Sequence, residues 1–112
     1  RPSLVSAIRA VTPPLLVQEG DLSRAVAEAL GISMNLMEKN LAGEHTSLSR
    51  EIRTLKCEVA CELLAHTNTS VADVGANIGY SEPANFTRFF KSQLGMTPNQ
   101  YRKTERQERD GK

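Results

Sequence analysis

The feature that most constrains this chain is a pattern of residues that occurs twice, about 49 positions apart. The two copies read "DLSRAVAEALGISMNLMEKNL" and "SVADVGANIGYSEPANFTRFF". Each copy begins with a helix-capping residue and continues with apolar residues at helical spacing, a glycine, an aliphatic or aromatic residue, a serine and a second helical segment. Because glycine readily takes the left-handed conformation that reverses a chain, the pattern predicts two helix-turn-helix units.

Further helices are predicted before and between the two units. Residues 3 to 11 form a short amphipathic segment that Ser3 can cap and that Pro13 and Pro14 end. Between the units, apolar residues recur every three or four positions: Leu48, Ile52, Leu55, Val59 and Leu63. This spacing predicts one continuous helix over 47–66, which at ~1.5 Å per residue is about 30 Å long.

The second unit is followed by one more helical segment. We expect Ser81 to cap the second helix of this unit, and Thr97 and Pro98 to open a last helix that contains Tyr101. The polar tail that begins at Lys103 is expected to fray.

These patterns together predict an all-α protein with seven helices and no strand. We expect a first helix-turn-helix subdomain over 1–46, a linker helix over 47–66, and a second helix-turn-helix subdomain with the C-terminal helix and polar tail over 67–112. Both subdomains are expected to be homeodomain-like units.

Composition excludes several classes of protein. The chain has 112 residues and a net charge of +1, and its longest apolar runs are only a few residues, whereas a membrane-spanning helix needs ~20. No glycine-rich phosphate loop and no cluster of nucleophile and base is visible, so we predict neither an enzyme nor a cofactor. No secretory leader is visible, but since the chain begins with Arg1 we expect it to be a fragment of a longer protein, so the missing leader says little about the parent protein.

The two cysteines, Cys57 and Cys61, lie four residues apart in the long predicted helix. Adjacent turns of one helix rarely suit disulfide geometry. Together with His66 they offer three metal-ligating groups, but no fourth ligand is apparent. We therefore predict no metal site, and two free thiols of which at least one is buried.

The second helix of the second unit combines phenylalanines with polar and basic residues. Phe86 and Phe90 are predicted to face the core, with Phe89 near its boundary. The opposite side carries five residues: Pro83, Ala84, Thr87, Arg88 and Lys91. In a DNA-binding helix-turn-helix, the second helix lies in the major groove and offers such side chains to base edges and phosphates. We expect Ala84 and Thr87 to meet thymine methyl groups or polar base edges, and the two cations to meet guanine or phosphate.

The second helix of the first unit has the same amphipathic organisation. Its buried stripe is predicted to comprise Met34, Leu36, Met37 and Leu41. Its opposite face carries Asn35, Glu38 and Lys39. A glutamate can accept a hydrogen bond from cytosine but repels phosphate. We therefore expect the second unit to supply most of the affinity for DNA, or the first to supply sequence choice rather than strength.

The stretch "SVADVGANIGYSEPANFTRFFKSQLGMTPNQYRK" closely resembles the signature of the AraC/XylS transcription regulators. Fourteen positions match that signature: Ser70, Val71, Val74, Gly79, Tyr80, Phe86, Arg88, Phe90, Lys91, Gly95, Thr97, Pro98, Tyr101 and Arg102. Gly75 stands where the family usually has alanine. In the first unit, "VAEALGIS" is similar to the family's "LAEELGIS", and the resemblance covers residues 21 to 103.

The resemblance implies a seven-helix DNA-binding domain of a cytoplasmic bacterial transcription factor, most often an activator. It implies double-stranded DNA and RNA polymerase as partners, and an effector-binding or dimerisation domain outside this fragment. The residues expected to touch DNA are Asn35, Glu38 and Lys39 in the first unit and Pro83, Ala84, Thr87 and Arg88 in the second. Asn85 and Lys91 are expected near phosphates.

Two other interpretations stay open from the residues alone. Helix-turn-helix-like units also occur in helical modules that bind proteins, and one or both units would then read no DNA. The second interpretation concerns Arg88 alone, which can be a solvated helix residue or a partner of Glu82 or Asp73. Against this, two major-groove segments on one face of DNA lie ~34 Å apart, a separation that a rigid helix of about 30 Å can roughly match.

Overall fold

The computed structural model describes residues 3–18 and 21–110, which contain seven α-helices and no strand. The helices are α1 Leu4–Val11, α2 Leu22–Leu30, α3 Met34–Gly43, α4 Leu48–His66, α5 Val71–Asn77, α6 Pro83–Leu94 and α7 Pro98–Asp110. A short 3-10 helix, Pro13–Leu15, follows α1. The all-α prediction with seven helices is confirmed.

Contacts divide the chain into two compact units, of which the first ends at Lys56 and the second begins at Cys57. The boundary lies inside α4, so residues 48–56 belong to the first unit and residues 57–66 to the second. Within the described part of the chain, no helix has both the length and the apolar character needed to cross a membrane.

Side-chain caps begin the helices of the first unit as the sequence predicts. The hydroxyl of Ser3 accepts a hydrogen bond from the Ser6 amide at 3.1 Å at the start of α1. At the start of α2 the carboxylate of Asp21 accepts from the Arg24 amide at 3.1 Å. Ser33 accepts from the Leu36 amide at 3.2 Å at the start of α3. Each cap satisfies an amide that the helix itself leaves without a partner.

Four helices end on a residue in the left-handed conformation, and at the end of α6 this residue is Gly95, with φ 76°. Gly31 follows α2 with φ 65°, and Gly79 follows α5 with φ 93°. After α3 the same position is held by His45, with φ 64°. There the Thr46 amide donates to the Leu41 carbonyl at 3.0 Å, the bond that closes a Schellman motif. The repeat seen in the sequence is therefore a repeat of structure, because both predicted glycine turns reverse the chain between two helices.

The core of the first unit excludes two residues that we predicted to be buried. Its fully or nearly buried apolar residues are Ile8, Leu16, Val26, Ala27, Met37, Leu41, Leu48, Ile52 and Leu55. Leu36, however, is 49% exposed and Met34 is 37% exposed. A helix turns by about 100° per residue, and Met37 and Leu41, four positions apart, define its buried side. Leu36 therefore lies on the flank of the helix. Met34 is the first residue of α3 and lies at its exposed end.

Two side-chain hydrogen bonds stabilise the start of α4, one made by Ser47 and one made by Thr46. Ser47 accepts from the Arg50 amide at 3.2 Å, which makes it the cap. Thr46 donates to the carboxylate of Glu51 at 2.6 Å.

In the second unit the buried residues are Ala60, Leu64, Ala65, Val74, Gly75, Ile78, Phe86, Phe90 and Pro98. Leu63, a member of the apolar series from which α4 was predicted, is only half-buried, and the neighbouring Leu64 is buried. The apolar spacing continues through α4, but after Leu55 the buried positions move by one residue, to Ala60 and Leu64, where the helix belongs to the second unit.

The start of α6 differs from the prediction. We expected Ser81 to cap it, but the cap position is occupied by Glu82, which makes no side-chain capping bond, and Pro83 is the first helical residue. Proline needs no partner for an amide at this position, so a side-chain cap is less necessary here. Thr97 does cap α7, where its hydroxyl accepts from the Gln100 amide at 3.2 Å and its own amide donates to the Gln100 side chain at 2.9 Å.

The polar tail is more ordered than we expected, since α7 continues to Asp110; the final residues, 111–112, lie outside the described part of the chain. Two arginines of α7 hold it in place. Arg102 donates to the carbonyls of Leu64 at 2.9 Å and Thr69 at 2.5 Å. Arg106 donates to the Thr67 carbonyl at 2.9 Å. The two guanidinium groups thus satisfy carbonyls at and just beyond the end of α4, which would otherwise lack partners.

Candidate nucleic-acid interface

The outward face of α6 is exposed and positively charged. The buried side of this helix consists of Phe86 and Phe90. Of the residues that we predicted to touch DNA, Pro83, Ala84, Asn85, Arg88 and Lys91 are exposed, and Thr87 is half-buried. The helix carries two cations and no acidic residue. All six predicted positions are therefore gathered on one helix away from the buried phenylalanines, in the arrangement that a groove-binding helix requires.

Arg88 and Asn85 form a pair on this face. The guanidinium Nη1 of Arg88 donates to Oδ1 of Asn85 at 2.8 Å. Among the described residues, Asn85 and not the acidic Glu82 or Asp73 is the hydrogen-bond partner of Arg88. Since Asn85 is neutral, the positive charge of Arg88 is not cancelled, and the remaining N–H groups of its guanidinium stay available as donors.

A groove of about 480 Å³ lies beside this face and is lined by Tyr80, Asn85, Arg88, Phe89 and Ser92. Tyr80 stacks on Phe89 with ring centroids 5.2 Å apart. Burial raises the pKa of Tyr80, so its phenol remains neutral at physiological pH. The stacked pair of rings forms part of the wall of the groove.

The outward face of α3 presents a more mixed surface. Asn35, Glu38 and Lys39 are all exposed, as predicted. The carboxylate of Glu38, however, accepts a hydrogen bond from the Leu48 amide at 3.3 Å, at the start of α4. A carboxylate at a helix N-terminus is stabilised by the unpaired amides there. Glu38 is thus directed toward α4, while Asn35 and Lys39 are left on the open side of the helix.

Sequence reasoning missed two further exposed residues of α3, namely Leu36 and Asn40. Leu36 was assigned to the core because an apolar residue next to Met37 fits the same helical stripe. The signal that identifies both residues is the repeat itself. When the two units are aligned, Leu36 corresponds to Asn85 and Asn40 corresponds to Phe89.

The two cysteines lie in a separate groove of about 420 Å³ in the second unit, which Tyr101 and Glu105 also line. Burial and the neighbouring Cys61 raise the pKa of the Cys57 thiol to about 11. No group of three or more histidine, cysteine or acidic side chains within residues 3–18 and 21–110 is arranged to hold a metal ion. These thiols are protonated at neutral pH, a state that neither binds metals nor attacks electrophiles well.

The amino-acid sequence of this chain is similar to those of known helix-turn-helix proteins. A family model described as a helix-turn-helix domain matches residues 21–104. The porin thermoregulatory protein EnvY of Escherichia coli (strain K12) is 33% identical over 84 residues, which are 75% of this chain and 33% of EnvY. The transcriptional activator NphR of Rhodococcus sp is 33% identical over 78 residues, 70% of this chain and 23% of NphR. The chain thus spans about a third or less of the length of these two curated relatives.

A solved structure shows the same fold over nearly the whole chain. It is described as a DNA-binding transcriptional dual regulator from Escherichia coli K-12, and it superposes with a TM-score of 0.85 at 27% sequence identity. The match covers 96% of both chains.

Proposed function

This chain belongs to the AraC/XylS family of transcription regulators as its DNA-binding domain, and we propose that α3 and α6 each enter the major groove of double-stranded DNA through the faces described above. The observation that carries the proposal is the outward face of α6, on which Arg88 and Lys91 stand without an acidic neighbour on the helix. The residues proposed to contact DNA are Pro83, Ala84, Asn85, Thr87, Arg88 and Lys91 on α6, with Asn35 and Lys39 on α3; the predicted contact by Glu38 is not retained, for the reason given below.

The residues on the outward face of α6 are proposed to make two kinds of contact, to base edges and to phosphates. Arg88 presents several donors and an uncancelled charge, which suits the guanine edge or a phosphate. Lys91 lies one turn further along the helix, where a point charge suits a phosphate. Ala84 is small enough to let the helix backbone approach the bases closely. Phosphate contacts position the domain on the duplex, and base contacts select the sequence.

The first unit is proposed to add selectivity more than affinity. Lys39 is opposed on α3 by Glu38, so this helix brings no net positive charge to the DNA. Because the Glu38 carboxylate accepts a hydrogen bond from the first residue of α4, we assign it to holding the start of α4 against α3 rather than to reading cytosine. The proposal keeps the predicted domain organisation: two DNA-binding helix-turn-helix subdomains, over 1–46 and 67–112, joined by a linker helix over 47–66.

The wider role is proposed from the relatives. One of them is named a transcriptional activator, which supports activation of transcription. We add RNA polymerase as a proposed second partner of such an activator. We place the protein in the bacterial cytoplasm, where DNA and polymerase are found, and assign the domain a binding role rather than a catalytic one. Effector binding or dimerisation is proposed to belong to other parts of the full-length protein.

Selection of bound sequences from a pool of random duplexes tests the proposal. We expect two short conserved boxes about one turn of DNA apart, bound with an affinity that falls steeply as salt rises, because each phosphate contact releases counterions. A single box would mean that only one unit reads DNA. Absence of duplex binding at low salt would contradict the proposal and favour a helical module that binds proteins.

A further inference from the structure

The exposure of Leu36 is the observation that the proposed contacts leave unexplained. Four large apolar side chains are prominently exposed within the described part of the chain, and two of them, Met34 and Leu36, lie on the ten-residue helix α3. Leu36 is the more exposed of the two, at 49%. Single exposed leucines are ordinary on protein surfaces, so its position has to carry the argument.

Leu36 lies beside the polar residues that face outward from α3. It precedes Lys39 by three positions and Asn40 by four, and both are exposed neighbours on the same side of the helix. It is about 100° away from the buried Met37. Glu38 lies on the other flank, where its carboxylate is occupied by the start of α4. Leu36, Lys39 and Asn40 therefore form one continuous surface, which we term the leucine flank.

The second unit has a residue in the position equivalent to Leu36, and its proposed role guides the inference. The residue of α6 that corresponds to Leu36 is Asn85, which belongs to the face proposed to contact DNA and holds the guanidinium of Arg88 at 2.8 Å. The first unit replaces this polar amide by an aliphatic side chain and Arg88 by Lys39. The two helices thus present the same positions to the DNA with different chemistry.

We infer that Leu36 is a specificity-determining residue of the first unit that contacts the C5 methyl group of a thymine in the major groove. The inference rests on the proposed function. The thymine methyl is the apolar group that a base pair displays in the major groove, so it is the natural partner of an aliphatic side chain there. Lys39, on the same surface, attracts the DNA phosphates, and this attraction helps to hold the helix in the major groove, where Leu36 can reach a base.

Deoxyuridine substitution tests the inference directly, because deoxyuridine pairs as thymine does and lacks only the C5 methyl. Each thymine of the selected duplex is replaced in turn, and binding of the wild-type chain is measured at constant salt. We expect one position in one box at which the substitution weakens binding about fourfold, the effect of one buried methyl group. Leu36→Ala should weaken binding to the thymine duplex and remove the sensitivity at that position, and Leu36→Met should retain it.

Met34→Ala is the matched control, because Met34 is the other exposed apolar residue of α3. It should leave the deoxyuridine effect in place. The inference is overturned if no thymine position is sensitive, if the effect survives in Leu36→Ala, or if Met34→Ala removes it instead. In each of these cases the wild-type chain still binds its duplex, so the proposed function stands. Failure of the wild-type chain to bind any duplex is the separate result that removes both.

Discussion

The backbone of Gly75 lies directly against the side chain of Phe86. A Cβ atom placed on Gly75 would be 2.9 Å from Cβ, Cγ and Cδ2 of that phenylalanine, closer than real Cβ atoms approach such neighbours. Phe86 is fully buried and belongs to α6, whereas Gly75 belongs to α5. The missing side chain of Gly75 therefore sets how closely these two helices pack in the second unit.

Gly75→Ala is predicted to destabilise the protein by about 1–2 kcal/mol. Helix propensity alone favours alanine by about 1 kcal/mol. Overpacking of a filled core costs about 1–3 kcal/mol, and the upper half of that range applies here because three atoms at the inner end of a buried phenylalanine side chain, which cannot turn aside, lie in the way. Urea unfolding measures the difference. Gly43→Ala is the control, since a Cβ there meets open space, and it should be neutral or stabilising. Equal stability of Gly75→Ala and wild type would contradict the packing argument.

Thr12→Val is predicted to stabilise the first unit by about 1 kcal/mol. Thr12 is fully buried, and its hydroxyl has no hydrogen-bond partner among the described residues. Replacement of an unsatisfied buried hydroxyl by a methyl group of similar shape removes a desolvation penalty. The measurement is the thermal midpoint. Thr46→Val should have the opposite sign, because the Thr46 hydroxyl donates to Glu51 at 2.6 Å. A Thr12→Val variant that melts below wild type would show that the hydroxyl has a partner in solution.

Arg102→Lys is predicted to lower stability by about 2 kcal/mol despite conservation of charge. Lysine lacks the planar fork that lets one guanidinium reach the carbonyls of both Leu64 and Thr69. A part-buried carbonyl left without a donor costs about 1–3 kcal/mol. Lys103→Ala, at an exposed position on the same helix, is the control and should change little. The prediction fails if the two variants unfold at the same denaturant concentration.

Arg88→Ala is predicted to weaken DNA binding by about 1–3 kcal/mol, the usual value of a base or close phosphate contact. Glu38→Ala should weaken binding much less, because that carboxylate is engaged with the Leu48 amide and repels phosphate. Its principal effect should be on unfolding. Fluorescence anisotropy with a labelled duplex gives both affinities at one salt concentration. A larger loss for Glu38→Ala than for Arg88→Ala would reverse the assignment of affinity to the second unit.

Cys57 is predicted to react slowly with thiol reagents in the folded chain. Its pKa is raised from 9.0 to about 11, chiefly by burial, so at pH 8 the thiolate fraction is lower by about a hundredfold than in the unfolded chain. Pulse alkylation with mass spectrometry reports this cysteine separately from Cys61.

The raised pKa also makes the free energy of unfolding depend on pH. Since the folded state holds the proton of Cys57 more tightly than the unfolded state, the contribution of this group to stability is fully present below pH 9 and is lost as pH rises toward 11. Both cysteines are half-buried, so the prediction that at least one is fully buried was wrong. Reaction at the unfolded rate would contradict even this partial burial.

The sequence predicted the helices and most of their caps because those features depend on residues only a few positions apart. Asp21, Ser33 and Ser70 cap the helices that follow them, and the amide that each accepts from lies three residues later. Both glycine turns were also correct, since the left-handed conformation is a property of the residue itself.

The errors arose where packing between distant residues decides. A helical stripe that includes Leu36 and one that includes only Met37 and Leu41 fit the same spacing, and only the tertiary core distinguishes them. Likewise, residues 33 to 39 positions away hold Arg102 and Arg106, so no local pattern could show that the polar tail is helical. The orientation of Glu38 toward Leu48 is a third contact of this kind. The choice of DNA-contacting residues remains a prediction that binding experiments have to test.

The arginine contacts of α7 also set a practical limit for protein engineering. Apolar character ends near Tyr101, and a designer guided by hydropathy alone would trim the chain there or attach a fluorophore just beyond. Removal of Arg102 and Arg106 would strip the donors from the loop after α4. A shortened domain therefore has to keep every residue through Arg106, and labels belong after that point.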